Sequence, residues 1–316
     1  MPFLTGFCAK CAVVLGAATV SLFAQETVHS APLELIYGKP YVMVTVNGKG
    51  PFRFVIDTGT GGQAFVSAEL ADQLGLPSAG DIQLKDPTGQ GLQTVPLVQL
   101  QSLRVAGVEF AGVKAIRHVL NFDGTDCQGL LGFTLFRDYL LTLDYPGHRM
   151  ILASGALALD KKNTVLPFRM PDGIPIVRLR IGNDPVDAQL DSGGTGLSLP
   201  ERLAARLKFA VEPTAFAKGQ SLSTRFQVNA GQLALDVHLG RYTFAQPFVE
   251  INPAFPMANF GSCPMQSFVF TFDQRNLLVR LEAEKTLLRL AATPAPLRME
   301  NVPELKPPSP GLVPVG

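Results

Sequence analysis

The stretch FVIDTGTGG, residues 54–62, places an aspartate between an apolar strand-like segment and a glycine-rich turn. One interpretation is a dinucleotide-binding turn, because Gly59, Gly61 and Ala64 fit the pattern G-x-G-x-x-A. A second is a purely structural turn, in which aspartate hydrogen-bonds its own backbone and glycine supplies a positive φ. A third is that Asp57 is itself the reactive group. The rest of the chain helps to choose among them.

The chain repeats this pattern 134 residues later, in the stretch QLDSGGTG, residues 189–196. A second block repeats at a shift of 129 residues and in the same order. Two ordered blocks with nearly the same spacing predict a duplicated lobe. The first block aligns Asp57 with Asp191, Thr58 with Ser192 and Gly59 with Gly193, and the second aligns Gly132 with Gly261, Thr142 with Thr271 and Asp144 with Asp273.

Each copy has the same predicted order of elements, which are mostly strands. An entry strand (residues 41–46 and 176–181) precedes the strand that ends in aspartate. A short helix follows, at 67–74 in the first copy, where Gly75 is expected to end it, and opened by Pro200 in the second. Further strands lead to an apolar segment that ends in glycine. A pair of strands closes each copy, and turn chemistry accounts for Asp144 and Asp273 in these pairs.

The dinucleotide interpretation fits poorly. A phosphate-binding turn needs a helix that begins at its second glycine. Here the helical pattern begins only near Ser67. The second copy also keeps the aspartate while its glycine spacing changes. The aspartate is therefore the more informative residue.

A catalytic interpretation explains both copies together. Two lobes related by an approximate two-fold axis would bring Asp57 and Asp191 face to face, where they would share one proton. One carboxylate would then activate a water molecule while the protonated partner polarises a carbonyl group. Hydroxyl residues beside them would hydrogen-bond between the loops, and glycines would allow close approach. These supporting residues are Thr58, Gly59, Ser192 and Gly193.

These residues resemble the pepsin/retropepsin-like aspartic proteases, in particular bacterial members that carry two retropepsin-like lobes in one chain. The likeness covers residues 33–291 and is better in the first lobe. It is carried by D-T-G and D-S-G after apolar strands, L-G-L at 74–76, G-L-L-G at 129–132 and L-T-L-D-Y-P at 141–146.

The resemblance implies a mostly β, bilobal acid-protease fold with a short helix in each lobe and an aspartic endopeptidase that cleaves peptide or protein substrates. It implies that Asp57 and Asp191 are catalytic, and that the segments 130–132 and 259–261 pack beneath their loops. It also implies a flap over the cleft within residues 85–94, with 218–224 as its counterpart. The candidate flap residues are Thr88, Gly89, Gln90 and Gly91.

Two departures from the family pattern concern the second lobe. Gly194 stands where a small polar residue is usual, and Asn259 stands where an aliphatic residue is expected before the glycine. These departures bear on efficiency and substrate preference more than on the fold. The alternative function is a non-catalytic, exported binding or scaffold protein that retains the bilobal cleft.

The ends of the chain differ from its middle. Residues 11–23 form an apolar run typical of a signal peptide, so we expect 1–24 to be removed and the protein to be exported, either periplasmic or secreted. A buried N-terminal strand or an uncleaved anchor are the alternatives. We expect an N-terminal lobe at 33–152, a linker at 153–166, a C-terminal lobe at 167–291 and a proline-rich disordered tail at 292–316.

Composition limits the partners. The net charge is +1, from 27 basic and 26 acidic residues, so nothing indicates a nucleic-acid partner. We expect no stable membrane insertion after removal of the signal, no cofactor, no metal and a monomer. After removal of the signal, Cys127 and Cys263 remain, and they either form a disulfide or stay as two buried thiols. A catalytic thiol is not expected, because no histidine lies nearby in the sequence.

Overall fold

The computed structural model describes residues 28–85, 92–120, 125–220 and 225–291. Three predictions fall outside these ranges: the signal peptide at 1–24, the flap residues Thr88, Gly89, Gln90 and Gly91, and the tail at 292–316.

The described chain is mostly β, as the sequence predicts. In its first half the strands are β1 (Val28–Pro32), β2 (Glu34–Ile36), β3 (Lys39–Val46), β4 (Lys49–Asp57), β5 (Ala64–Ser67), β6 (Ser78–Lys85), β7 (Leu92–Val105), β8 (Val108–His118), β9 (Gly129–Gly132), β10 (Leu140–Asp144) and β11 (Arg149–Ala153).

The second half follows a similar order. Its strands are β12 (Val165–Pro167), β13 (Ile176–Ile181), β14 (Asp184–Asp191), β15 (Leu197–Pro200), β16 (Phe209–Gln220), β17 (Arg225–Leu233), β18 (Val237–Leu239), β19 (Tyr242–Phe244), β20 (Phe248–Asn252), β21 (Ala258–Gly261), β22 (Val269–Asp273), β23 (Leu278–Glu282) and β24 (Leu287–Leu288).

The helices among the described residues are short: α1 (Ala68–Leu74), α2 (Glu201–Ala204), α3 (Ser262–Met265) and two 3₁₀ turns, Phe133–Phe136 and Pro171–Gly173. Helix α1 has a defined cap at each end. The Ser67 hydroxyl accepts a hydrogen bond from the Leu70 N–H at 3.0 Å, and Gly75 ends the helix in the left-handed conformation at φ 61°. These caps explain why so short a helix is stable here. Within the described ranges, no helix is both long and apolar enough to cross a membrane.

The duplication extends to the pairing of the strands. The N-terminal lobe has the strand order β2-β3-β4-β9-β5-β8-β7-β6, and the C-terminal lobe has β16-β17-β20-β15-β21-β14-β13-β18-β19-β24. In the first lobe β4 pairs in parallel with β9, which places Asp57 opposite Gly132. In the second, β14 pairs in parallel with β21, which places Asp191 opposite Gly261. Each aspartate therefore occupies the same position in its own sheet.

A third sheet joins the lobes in the order β1-β11-β10-β22-β23-β12. At its centre β10 and β22 are antiparallel, with Thr142 opposite Thr271. Their hydroxyl oxygens lie 3.0 Å apart. Since these two residues are equivalent in the sequence repeat, the approximate two-fold axis passes between them.

The edges of this joining sheet use residues outside the two predicted lobes. Strand β1 begins before residue 33 and pairs with β11. Strand β12 takes in the end of the predicted linker and pairs with β23. Aromatic contacts also cross between the halves, since the rings of Phe133 and Phe272 lie 5.2 Å apart, edge to face. Both lobes consequently contribute to one continuous core.

Candidate active site

The two aspartates stand at the ends of buried strands. Ile56 and Leu190, which precede them, are fully buried in the core. Side chains alternate along a strand, so the next residue points to the opposite face. Asp57 and Asp191 are accordingly only partly buried, and both carboxyl groups lie where the two lobes meet.

Four hydrogen bonds lock the two loops together, and they are symmetric. The Thr58 hydroxyl accepts from the Ser192 N–H at 2.9 Å and donates to the Leu190 carbonyl at 2.8 Å. In return, the Ser192 hydroxyl accepts from the Thr58 N–H at 3.0 Å and donates to the Ile56 carbonyl at 2.7 Å. Both hydroxyl residues are completely buried. Each lobe thus fixes the loop of the other.

The carboxyl groups are so close to the opposite loops that only glycine fits there. A Cβ on Gly59 would lie 2.5 Å from the carboxyl carbon of Asp191. A Cβ on Gly193 would lie 2.4 Å from the carboxyl carbon of Asp57. Real Cβ atoms do not approach another carbon this closely, so each aspartate occupies space that the facing glycine leaves open.

The hydrogen bonds to the two carboxyl groups are less symmetric. Asp57 accepts from the Gly59 N–H at 2.8 Å and from the Thr60 hydroxyl at 2.9 Å. Asp191 accepts from three donors, which are the Gly193 N–H at 2.9 Å, the Gly194 N–H at 2.8 Å and the Asn259 side-chain amide at 2.6 Å.

This setting changes the acidity of Asp57. Burial and, after it, the neighbouring negative charge of Asp191 raise the pKa of Asp57 to about 8. A hydrogen bond to Asp191 acts in the same direction, while the Thr60 and Gly59 donors partly oppose the rise in pKa. A carboxyl group with this pKa keeps its proton near neutral pH.

The apolar-glycine segments pack directly on the aspartate loops. The Gly132 N–H donates to the Gln63 carbonyl at 2.9 Å, and the Gly261 N–H donates to the Gly196 carbonyl at 3.0 Å. A Cβ on Gly132 would lie 2.1 Å from the Gly62 carbonyl oxygen. The glycines at the ends of β9 and β21 are needed for this contact.

The glycines of the first loop do not form a phosphate site. A Cβ on Gly61 would lie 1.7 Å from the carbonyl oxygen of Asp172, so protein backbone already fills the space beside it. Helix α1 begins only at Ala68, beyond the turn. The dinucleotide interpretation is therefore wrong, because this turn has no space for a phosphate beside Gly61 and no helix that begins at that glycine.

The two predicted flap segments, 85–94 and 218–224, both extend beyond the described residues. Strands β6 and β7 pair up to Lys85 opposite Leu92, and β16 and β17 pair up to Gln220 opposite Arg225. The candidate flap residues Thr88, Gly89, Gln90 and Gly91 lie outside the described residues.

The disulfide considered for Cys127 and Cys263 is not formed. Cys127 donates through its thiol to the Gly129 carbonyl at 3.2 Å within the N-terminal lobe. Cys263 lies in α3 of the other lobe, where a Cβ on Gly38 would come within 2.9 Å of its sulfur. Burial, with a smaller effect of Glu250, raises the pKa of the Cys263 thiol to about 11. The thiol is therefore a poor nucleophile at neutral pH.

The sequence did not predict that two polar residues, Thr60 and Asn259, hydrogen-bond to the carboxyl groups. The signal was visible for Asn259, since an amide replaces the aliphatic residue expected before Gly261. Its partner could not be read from the sequence, because the contact with Asp191 depends on the register of β14 and β21. Thr60 carried no signal beyond being a hydroxyl residue in the turn.

Comparison with known proteins agrees with this geometry. The family model described as Aspartyl protease matches the chain twice, over residues 42–135 and again over 177–267. Each match contains one aspartate loop and its apolar-glycine segment. No curated protein matches the chain. The two matches span more than half of the chain, which belongs to the aspartyl protease family and carries two retropepsin-like lobes.

Proposed function

We propose that the protein is an aspartic endopeptidase that hydrolyses peptide bonds with a water molecule activated by Asp57 and Asp191. The observation that carries this proposal is the reciprocal packing of the loops, in which each carboxyl group fills the space beside the other lobe's glycine. Two carboxyl groups held so close do not both ionise easily, so they share a proton. Such a pair supplies an acid and a base at the same place.

The donors around each group favour one position for the shared proton. Three donors stabilise a negative charge on Asp191, whereas two contact Asp57. The raised pKa of Asp57 also favours its protonated form. In the substrate-free enzyme, Asp57 is then the acid and Asp191 the base, although the titration belongs to the pair as a whole.

The reaction follows from these roles. Ionised Asp191 takes a proton from water as the water oxygen attacks the peptide carbonyl carbon, and Asp57 gives its proton to the carbonyl oxygen. The resulting tetrahedral intermediate returns one hydroxyl proton to Asp57 as the carbonyl re-forms. The C–N bond breaks while the leaving nitrogen takes the proton from Asp191. The pair again holds one proton, without a metal or a covalent intermediate.

We also propose that the protein works outside the cytoplasm as a monomer. The support for export is the apolar run at residues 11–23. The support for a monomer is that one chain supplies both aspartates, so the site needs no second copy.

The test uses the exported chain and single asparagine variants. Mass spectrometry of the exported protein should find Gln25 as its first residue. Asp57→Asn and Asp191→Asn should each lower cleavage of a fluorogenic peptide mixture by at least about 10²–10⁴-fold, because general acid–base catalysis contributes that much. Asp138→Asn is the matched control, since this aspartate is exposed and distant in sequence from both loops.

Full activity in either single variant would contradict the proposal. A wild-type protein that binds peptides but cleaves none across a wide pH range would instead favour the alternative, a non-catalytic binding or scaffold protein.

A further inference from the structure

In each lobe, the turn of the closing strand pair places a buried polar side chain against the opposite lobe. Tyr145 directly follows β10 and Gln274 directly follows β22, at positions that the 129-residue repeat makes equivalent. Both are buried, at 1% and 6% exposed. Each contacts the residue that follows the glycine-ended strand of the other lobe, which is Ser262 for Tyr145 and Phe133 for Gln274. The two contacts are therefore reciprocal.

The Gln274 contact leads to Asp57 through three hydrogen bonds. The Gln274 side-chain amide donates to the Phe133 carbonyl at 2.7 Å. The Phe133 N–H donates to the Thr60 carbonyl at 2.9 Å, and the Thr60 hydroxyl donates to Asp57 at 2.9 Å. Phe133 is completely buried, and a close-packed interior leaves its backbone little room to move by itself. A change at Gln274 is therefore transmitted to the turn that carries Thr60.

The Tyr145 contact is weaker and leads to a different kind of donor. The Tyr145 hydroxyl oxygen lies 3.4 Å from the Ser262 hydroxyl oxygen and 3.8 Å from the Met265 sulfur. The Ser262 N–H donates to the Gly194 carbonyl at 2.8 Å, and the Gly194 N–H donates to Asp191. This last donor belongs to the backbone, so the loop itself sets its direction. The donor at Asp57 is a hydroxyl group on a rotatable side chain, which depends more on support from outside the loop.

The side-chain amide at position 274 has an energetic cost. The Phe133 carbonyl can only accept a hydrogen bond, so it fixes which end of the Gln274 amide faces it. The amide oxygen is then buried and has no hydrogen-bond partner among the described residues. Such an oxygen is unfavourable, and an apolar side chain of similar length would fill the space without it. Packing alone does not account for an amide here, whereas the bond to Phe133 does.

We propose that Gln274 is a positioning residue for the catalytic pair, which fixes Phe133 from the opposite lobe and so holds the Thr60 hydroxyl on Asp57. The Thr60 donor stabilises ionised Asp57 and partly opposes the rise in its pKa. Without Gln274 this donor is less well placed, so the pKa of Asp57 should rise further. The inference rests on the proposed function, since Asp57 is the acid of that mechanism.

The titration of Asp57 tests the inference without a substrate. Carbon-13 NMR of labelled aspartate carboxyl groups follows it in the exported chain, with Asp57→Asn to identify the signal. Gln274→Met removes the donor, keeps the length of the side chain and leaves Asp191, the charged neighbour of Asp57, in place. It should raise the pKa of Asp57 by at least about half a pH unit, and so should Thr60→Val. The double variant should shift no further than Thr60→Val alone, because Gln274 acts through Thr60.

Cleavage of the fluorogenic peptides gives a second measurement. Gln274→Met should lower kcat by about tenfold with little change in KM, and the basic limb of its pH profile should move to higher pH. Gln274→Glu should stay within about threefold of the wild-type kcat at pH 5, because burial keeps this carboxyl group protonated and able to donate to Phe133.

Gln232→Met is the matched control. The Gln232 side-chain amide also donates to a backbone carbonyl of the same lobe, that of Gln246 at 3.1 Å, but takes no part in the three bonds that lead to Asp57. This variant should leave both the titration of Asp57 and kcat as in the wild type.

An unchanged titration of Asp57 in folded Gln274→Met, or additive shifts in the double variant, would overturn the inference. If circular dichroism shows that Gln274→Met does not fold, Gln274→Glu decides instead, and a tenfold loss of kcat in that variant at pH 5 would overturn it. The two claims fail separately. A shifted titration in a protein that cleaves no peptide would count against the protease alone, whereas cleavage with an unshifted titration would count against the role of Gln274 alone.

Discussion

The two lobes make matching contacts where they meet and differ on the strands beside their aspartates. Across the two-fold axis, Thr58 and Ser192 make matching hydrogen bonds, and Thr142 faces Thr271. On the strands beside the aspartates, the first lobe has Val55, Leu130, Phe65 and Ile116 where the second has Gln189, Asn259, Ser198 and Glu250. The duplicated fold therefore fixes the pair of aspartates, while the residues on the neighbouring strands differ between the two halves.

The largest expected effect concerns the shared proton. The pKa of Asp57 in the folded protein lies above its ordinary value of 3.8. The stability it contributes is therefore complete below pH 3.8 and is lost as the pH rises towards 8, by at most about 1.4 kcal/mol per pH unit. Asp57→Asn removes this loss, so the variant should become more stable than the wild type as the pH rises from 4 to 8.

Urea unfolding at several pH values measures this difference in the free energy of unfolding. Asp191→Asn separates the two main causes of the raised pKa of Asp57, which are burial and the charge of Asp191. It removes the neighbouring charge but leaves burial, the larger cause of the raised pKa of Asp57, so part of the pH dependence should remain. A constant difference between Asp57→Asn and the wild type over this pH range would show that Asp57 does not hold the proton.

The next effect concerns the facing glycines. Gly59→Ala and Gly193→Ala should each reduce peptide cleavage by at least about a hundredfold, because a displacement of about 1 Å at a reacting group has that effect. Steady-state kinetics measure it, and the loss should appear mainly in kcat. Gly62→Ala is the control, since a Cβ there meets no atom within 4 Å. Strongly unequal losses in the two variants would mean that the loops are not equivalent.

The smallest effect concerns the buried hydroxyl groups. Thr58→Val and Ser192→Ala should each lower the free energy of unfolding by about 2 kcal/mol, because each leaves a buried N–H and a buried carbonyl without a partner. Denaturant unfolding of the single and double variants measures this. The double variant should lose less than the sum, since both residues belong to one network. Additive losses would contradict the interlocked arrangement.

The sequence predicted much of the fold because the repeat is visible in local patterns. Strand, turn and helix signals recur around Asp57 and Asp191, and the helix signals at Ser67 and Gly75 match the observed caps. The strands at the edges of the joining sheet were harder to predict. Val28–Pro32 and Val165–Pro167 are short, and their strand character comes from partners distant in the chain.

The cluster of polar side chains near Asp191 was hard to predict for a related reason. Gln189, Ser198, Asn259 and Glu250 are spread over four strands, and only the register of those strands brings them onto one face. The acidity of Asp57 likewise depends on burial and on a neighbour 134 residues away, neither of which a local pattern contains. The cysteines gave an ambiguous signal because sequence spacing carries no information about distance across a lobe junction.

The pairing of β10 with β22 has a consequence for how the two halves could diverge. Because equivalent residues face each other there, two separate copies of one lobe could associate through the same strands as a symmetric homodimer. Such a dimer would carry identical surfaces on both sides of its active site, and its activity would depend on protein concentration. Joining the halves in one chain removes both restrictions. A substitution such as the one that places an amide at position 259 then changes one side of the cleft and leaves the other as it was.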